Sequence, residues 1–291
     1  MAGIVPLKSP KYILQHVKFV SGAEFATGDD GPALFATDLE LAIRRLVGGV
    51  RVMEPGEMIL SPVQLQPIFA KAKCEDLSLY VDGDTIRIRG PKVKYDLQSY
   101  DPNSFPDPPQ FTSTNYHVVA ANNLRKLIRR TQYATCEDTT RYALGGVLTE
   151  LRPDSIVMVG ADGRRLSEAK ASAEVVGDPD RFINMAEGED KQAPVLSLKF
   201  MNLLMKTIKD NDPPIHIAVK AQSSVMARTE RATIYGRLIE GRFPDYLDMF
   251  ASSYDAKISL NVGEFRAAIE QAAITRNAET KGSISRSRPE N

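Results

Sequence analysis

The chain has 291 residues, of which 43% are hydrophobic, and its 37 basic and 37 acidic side chains give a formal net charge of zero. This length predicts two domains, or three if the domains are small. A balanced charge argues against a protein that coats nucleic acid over its whole surface. The sequence has no apolar run of membrane-spanning length and no secretory signal pattern, so we expect a cytoplasmic protein.

Cysteine and histidine are too sparse and scattered to predict a metal site. Cys74 and Cys136 have no second Cys or His at ligand spacing, so we expect reduced thiols, no metal and no cofactor. The 3 histidines lie singly in β-rich segments, and the motifs of nucleophilic, nucleotide-binding and zinc-dependent enzymes are lacking. We therefore expect a protein that is not an enzyme.

The first part of the chain predicts short strands around one helix. The helix is predicted to begin after Ser61, which would cap its first turn. Pro67 is predicted to shorten or kink it, because proline removes a backbone donor from a helix interior. Lys71 and Lys73 are predicted to end it.

Two Asp-Gly pairs lie between segments with the alternation of β-strands. Asp82-Gly83 predicts a tight hairpin, because an Asp-Gly pair between alternating segments is the strongest short-range signal for a hairpin. Asp162-Gly163 predicts a second hairpin, and one of two interpretations of it is a plain type I′ turn with Leu166 in the core; the other is a peptide-binding cleft.

Residues 123–133 predict an amphipathic helix with one apolar and one basic face. At about 100° per residue, the apolar stripe consists of Leu124, Leu127, Ile128 and Thr131. The opposite arc carries Arg125, Lys126, Arg129 and Arg130, and Arg141 follows beyond the helix. These cations form like-charge pairs four residues apart, and no acid in the sequence relieves them before Glu137.

A second helix of the same design is predicted at residues 198–209. Its apolar face consists of Phe200, Met201, Leu204, Met205 and Ile208. Its other face carries Lys199, Lys206 and Lys209.

These basic stripes favour an external polyanion. The alternative is an ordinary solvated face, helped by the attraction of lysines to a helix C-terminus, but the stripes recur in a chain of zero net charge. Few aromatic side chains lie among the cations, which argues against a single-strand binder. Contacts to phosphate alone predict binding to duplex DNA without sequence specificity.

The order of features repeats along the chain. Asp38 and Asp162 follow equivalent apolar segments, and Ser61 and Ser197 open equivalent helices. A third repeat begins at Ile258. The repeat length of about 130 residues is typical of tandem domains rather than of a solenoid. We predict domains at 1–114, 115–250 and 251–291, the first without its opening strand and helix.

Seven segments, in their order and at about their spacings, resemble bacterial DNA sliding clamps, the beta subunits of DNA polymerase III. These segments are ATDLELAIR, EMILSPVQL, DGDTIRIRGPKVKYDL, DPNSFPDPP, RYALGGVLTEL, GADGRRLSEA and LIEGRFPDY. The resemblance implies an α+β fold of tandem DNA-clamp domains, with antiparallel sheets outside and paired helices lining a central hole. It implies a homodimeric head-to-tail ring that encircles duplex DNA and serves as a DNA polymerase processivity factor.

The resemblance also implies protein partners. Clamp loader, replicative DNA polymerase and repair polymerases would dock short peptides into an apolar pocket. Residue by residue, that pocket corresponds to Leu144, Ala161, Gly163, Arg164, Arg165, Leu166, Pro244, Asp248 and Met249. Asp248 departs from the family, in which this position is commonly basic.

Two expectations run against a complete clamp. The first repeat lacks its opening strand and helix and the third stops after one helix, so we expect that the chain as written does not close a ring. The alternative function is a non-catalytic peptide-binding adaptor, or an inactive clamp fragment, that does not encircle DNA.

Overall fold

The computed structural model describes residues 16–21, 31–74, 76–107, 110–136, 142–178, 193–220, 223–250 and 258–274. The chain divides into two units, Met1–Pro244 and Asp245–Asn291. None of the helices in these described ranges is long and apolar enough to cross a membrane.

In the N-terminal part of the first unit, called repeat 1, the described residues form one helix and seven strands. Among the described residues these elements are, in chain order, β1 (Val17–Ser21), β2 (Ala33–Thr37), β3 (Leu41–Leu46), β4 (Gly56–Leu60), α1 (Pro62–Lys71), β5 (Ser78–Asp82), β6 (Thr85–Gly90) and β7 (Val93–Gln98).

In the following part, called repeat 2, the described residues form two helices and nine strands. In chain order they are β8 (Tyr116–Val119), α2 (Ala121–Thr131), β9 (Gly146–Leu151), β10 (Ser155–Ala161), β11 (Leu166–Ser172), β12 (Glu174–Val176), β13 (Val195–Ser197), α3 (Leu198–Thr207), β14 (Ile215–Lys220), β15 (Ser224–Arg228) and β16 (Ala232–Arg237).

The two repeats have the same strand pairing. In repeat 1, β2 pairs with β1 and β3, and β4 pairs with the other edge of β1. In repeat 2, β10 pairs with β9 and β11, and β13 pairs with the other edge of β9. The meander β5–β6–β7 likewise matches β14–β15–β16. The repetition predicted from the sequence is therefore present in the hydrogen-bond pattern of the sheets.

One continuous sheet joins the two repeats. Its nine strands are ordered β12-β8-β14-β15-β16-β3-β2-β1-β4, all antiparallel, and β16 pairs with β3 along five residues. Flanking backbone bonds extend the junction, from Leu46 N to Arg231 O and from Arg237 N to Glu40 O. The repeats are therefore connected edge to edge by backbone hydrogen bonds.

Both basic helices of repeat 2 bury the apolar faces that their periodicity predicts. Leu124, Leu127, Ile128 and Thr131 are buried on α2. Phe200, Met201, Leu204 and Ile208 are buried in the same core, and Met205 packs against it. Gly160 lets the end of α2 lie on β10, because a Cβ there would be 2.1 Å from the Thr131 carbonyl oxygen.

The helix of repeat 1 differs from its prediction. It runs through Pro67 to Lys71, with Lys73 beyond its end, and the side chain of Ser61 makes no capping hydrogen bond. Pro67 is exposed, so the Val63 carbonyl that loses its usual donor lies on the outer side of a surface helix. Only Leu65 and Ile68 of this helix are buried.

The second unit contains a 3₁₀ turn at Leu247–Met249 and the helix α4 (Val262–Ala273). Asn261 caps the helix, with its side-chain oxygen accepting hydrogen bonds from Gly263 N and Glu264 N.

Candidate nucleic-acid and peptide interfaces

The outer face of α2 carries three exposed cations, Lys126, Arg129 and Arg130. In the described part of the chain none of them forms an ion pair, and their backbone is fixed by the buried apolar stripe beneath. A rigid helix that presents several unpaired cations suits the phosphates of a polyanion.

Arg125, the fourth predicted cation of this stripe, is engaged within the protein. Its Nε lies 2.7 Å from Asp210 Oδ1, and its side chain is only 15% exposed. The guanidinium also donates to the carbonyl oxygens of Met205, at 2.9 Å, and Ile208. Arg125 therefore caps the C-terminal turn of α3 and offsets its dipole. The prediction that no acid relieves this stripe is wrong for Arg125, because Asp210 does so from the turn that follows α3.

The lysines of α3 have two different surroundings. Lys206 and Lys209 are exposed, and neither makes an ion pair among the residues that the structure describes. Lys199 lies 3.3 Å from Glu40 and 3.9 Å from Asp38, both in the turn between β2 and β3. Lys199 thus connects repeat 2 to repeat 1 at the shared sheet. The helix ends at Thr207, two residues before its predicted end.

The remaining predicted cations lie elsewhere. Lys71 and Lys73 are exposed at and just after the end of α1. Arg141 lies outside the described residues.

The hairpin between β10 and β11 is built around Asp162. Its Oδ1 accepts hydrogen bonds from Arg164 N at 2.9 Å and Arg165 N at 3.0 Å, and its Oδ2 lies 2.9 Å from Arg165 Nε. These donors, the Arg164 backbone first, lower the pKa of Asp162. Ala161 pairs with Leu166, so the turn spans residues 162–165. Asp162 N also donates to the Arg165 carbonyl oxygen at 3.3 Å. The predicted type I′ turn is wrong, because that turn needs a positive φ at both central residues and only Gly163 has one.

The predicted peptide-pocket residues divide between buried support and exposed contact surface. Ala161 and Leu144 are 4% and 8% exposed, whereas Leu166 is half-buried and Gly163, Arg164 and Arg165 are exposed. Gly241 lies against Ala143, because a Cβ at Gly241 would be 3.7 Å from that of Ala143. The segment that leads to the exposed Pro244 therefore runs beside the turn that carries Leu144.

Two predicted pocket residues belong to the second unit. Met249 is exposed in its 3₁₀ turn. The side chain of Asp248 lies outside the described residues.

Tyr133 is an exposed aromatic residue that the sequence did not single out. It lies in the 3₁₀ turn after α2, is 56% exposed, and has the Arg165 guanidinium carbon 5.6 Å from its ring centroid. Only the proximity of the α2 end to β11 reveals this pair.

Two histidines of the nine-stranded sheet have lowered pKa values. Burial lowers the pKa of His117, whose Nε2 lies 2.8 Å from the Arg152 carbonyl oxygen. Burial and, secondarily, the Arg228 guanidinium lower the pKa of His216, which stacks on Tyr116. In the described ranges no three His, Cys, Asp or Glu side chains gather as metal ligands would.

Residues 118–245 match the family model of the DNA polymerase III beta subunit, central domain. The beta sliding clamp of Pseudomonas putida is 26% identical over 286 residues, which are 97% of this chain and 72% of that protein. The beta sliding clamp of Bacillus subtilis is 23% identical over 89% of this chain and 67% of that protein. The crystal structure of the DNA polymerase sliding clamp from Bacillus subtilis superposes with a TM-score of 0.79 at 22% identity, covering 94% of this chain and 70% of that one. The α+β clamp fold is thus established for the part of the chain that aligns.

Proposed function

We propose that this chain belongs to the DNA polymerase III beta subunit family, whose central-domain model residues 118–245 match, and that it acts as a sliding clamp. In this role it surrounds duplex DNA, catalyses no reaction, and holds replicative and repair polymerases on their template. The observation that carries the proposal is the edge-to-edge junction of two equivalent repeats through β16 and β3. A fold that joins its copies in this way can extend around a duplex.

Free strand edges support the proposal. The bond from Leu46 N to Arg231 O indicates that Leu46 and, by alternation, Arg44 and Ala42 turn their backbone groups towards β16. The equivalent positions of β11 are Lys170, Glu168 and Leu166, and among the described residues β11 pairs only with β10. At the other end of the repeat pattern, β7 pairs with no described strand other than β6. An unpaired edge is a template for another strand, so the same junction can recur on both sides.

We further propose domain boundaries near residues 114 and 250. Separate apolar cores support the first of them. Ile86 and Ile88 belong to a core within repeat 1, whereas Leu124 and Phe200 belong to a core built mainly from repeat 2.

The cations of the two repeats suit DNA without sequence selection. We assign phosphate contacts to Lys126, Arg129 and Arg130 on α2 and to Lys206 and Lys209 on α3, with Lys71 and Lys73 in repeat 1. Arg125 bridges α2 and α3, so their cations are held on neighbouring helices. Long cationic side chains that meet only phosphates permit movement along the duplex.

We place the docking site for partner peptides around the Asp162 turn. The half-buried Leu166, which pairs with the buried Ala161, and the exposed Arg165 offer apolar surface beside fixed donors, which suits a short extended peptide. A clamp loader and polymerases are the partners that this site would serve.

Topological retention on DNA tests the proposal. The chain is loaded onto a nicked circular plasmid, with and without a bacterial clamp loader, and passed through a large-pore column at high salt. Retention on circles that disappears after restriction cleavage supports the clamp, because only an encircling protein resists salt on a circle and leaves at ends. Equal dissociation from circles and linear DNA is the result for a chain that closes no ring. A peptide adaptor would bind a labelled partner peptide and show no retention on either DNA.

A further inference from the structure

Repeat 2 displays an arginine where repeat 1 has a leucine in the same turn. Asp38 Oδ1 accepts hydrogen bonds from Glu40 N and Leu41 N, as Asp162 Oδ1 does from Arg164 N and Arg165 N. The turn therefore forms without an arginine at the position of Arg165. Leu41 packs at the repeat junction, 3.1 Å from where a Cβ on Gly236 would lie. Arg165 instead faces solvent, with 56% of its side chain exposed.

Two neighbours hold the Arg165 side chain. Asp162 Oδ2 binds its Nε at 2.9 Å, and the Tyr133 ring lies beneath its guanidinium carbon. The two terminal nitrogens make no ion pair in the part of the chain that the structure describes. A guanidinium fixed by its Nε and its face keeps two parallel donors for a planar acceptor.

The backbone at Tyr133 is held in place by contacts of the residues next to it. Ser167 Oγ donates to the Arg130 carbonyl oxygen, which attaches the end of α2 to β11. Gly160 allows the Thr131 carbonyl to approach β10 closely, and the 3₁₀ turn Gln132–Ala134 follows directly. Tyr133 is therefore a rigid support for Arg165, and its exposed ring remains available to a ligand.

We propose that Tyr133 is a further residue of the peptide-docking site, where it holds Arg165 in place to bind an acidic side chain of the partner peptide. This inference rests on the proposed function, since it adds a residue and a ligand chemistry to the same site. The pre-positioned fork binds a carboxylate through two charged hydrogen bonds and loses little freedom in doing so. The partner class is an extended apolar peptide that carries a carboxylate beside its apolar anchors.

A pair of matched peptides tests the inference. The probe is a fluorescein-labelled peptide from the clamp-binding segment of a bacterial replicative polymerase, given one acidic side chain, and a second peptide with the corresponding amide. Fluorescence anisotropy with the full chain should show preference for the acid by on the order of 10-fold. Arg165→Gln should abolish this preference. Tyr133→Ala should reduce it by about 2- to 5-fold, the range of an exposed cation–π contact.

Control variants separate orientation from folding. Tyr133→Phe keeps the ring and should keep the preference, and the double variant Tyr133→Ala with Arg165→Gln should prefer neither peptide, as with Arg165→Gln alone. An undiminished acid preference in Tyr133→Ala, with parental thermal stability, would overturn the role of Tyr133 while leaving the docking site in place. Failure of the parent to bind either peptide would instead overturn the docking site itself, and retention on circular DNA would still report the clamp separately.

Discussion

Leu39 has the same left-handed backbone as Gly163, with φ angles of 73° and 83°. Each is the residue after the aspartate that closes the turn, and each turn connects equivalent strands of the two repeats. Leu39 is the only residue other than glycine with a positive φ among those described. The duplicated turn geometry has therefore been kept in repeat 1 at the expense of a strained leucine.

Leu39→Gly is expected to stabilise the protein modestly. Relief of the left-handed strain gains about 1–2 kcal/mol, and the added freedom of glycine in the unfolded chain costs about 0.5–1 kcal/mol. Urea denaturation measures the difference. Leu39→Ala is the control, because it removes the exposed side chain but keeps the Cβ; equal stabilisation by both variants would attribute the gain to reduced apolar exposure.

Arg125→Met is expected to lower the free energy of unfolding by about 2 kcal/mol, the size of a hydrogen bond that involves a charge. The variant leaves the Met205 and Ile208 carbonyls without their donor. Arg129→Met, on the exposed face of the same helix, should cost less than about 0.5 kcal/mol. The order should be reversed for DNA binding: Arg129→Met should change the salt dependence of DNA binding, and Arg125→Met should not. A similar change for Arg125→Met would place that side chain on DNA.

The apolar faces were predictable from the sequence because their residues lie on one helix. The spacing of Leu124, Leu127 and Ile128 is a local property, and all three are buried as predicted. The partner of Arg125 was not predictable, because Asp210 lies 85 residues away and meets it only when α2 and α3 pack together. Lys199 and Glu40 are 159 residues apart for a similar reason: β16 first has to join β3.

The turn geometry shows a second limit of sequence reasoning. An Asp-Gly pair predicts a hairpin, and both predicted hairpins form. At Gly83 the strands pair at Asp82 and Thr85, whereas at Gly163 the last strand pair is Ala161 and Leu166, and the Asp162 carboxylate binds two backbone donors of the turn. The choice depends on which backbone donors the carboxylate reaches, which the dipeptide alone does not determine.

Charge reversal at Arg129 and Lys206 together should flatten the salt dependence of DNA binding. Removing one phosphate interaction lowers the steepness of log K against log salt by about 0.9. Binding of a labelled duplex is measured by anisotropy between about 50 and 200 mM salt. Lys220→Glu serves as the control, because Lys220 is also exposed but lies on the strand β14 and not on a basic helix. An unchanged slope in the double variant would show that α2 and α3 do not contact DNA.

Leu166→Asp should abolish peptide capture and leave DNA association unchanged, because a carboxylate is not desolvated in an apolar cleft without a partner. Leu166 is half-buried, and volume-conserving Leu166→Met should retain binding. Anisotropy with the labelled polymerase peptide reports capture, and circular dichroism reports folding. Equal affinity of the aspartate variant and the parent would place the docking site elsewhere, whereas a drop in the folded signal would assign Leu166 to the core.

Mild acid should destabilise the fold through His117. Burial lowers the pKa of this residue from the ordinary value of 6.5, so the folded state binds its proton less readily than the unfolded chain does. The unfolded state therefore takes up protons first as the pH falls below 6.5, and stability decreases from there down to the lowered folded-state pKa. The same sign holds for His216, whose pKa is also lowered.

Urea denaturation at about pH 7.5 and about pH 5.5 should show the decrease in stability while most carboxylates stay ionised. His117→Gln should reduce the difference between the two pH values, and adding His216→Gln should reduce it further. A parental pH dependence in the double variant would show that other groups cause it.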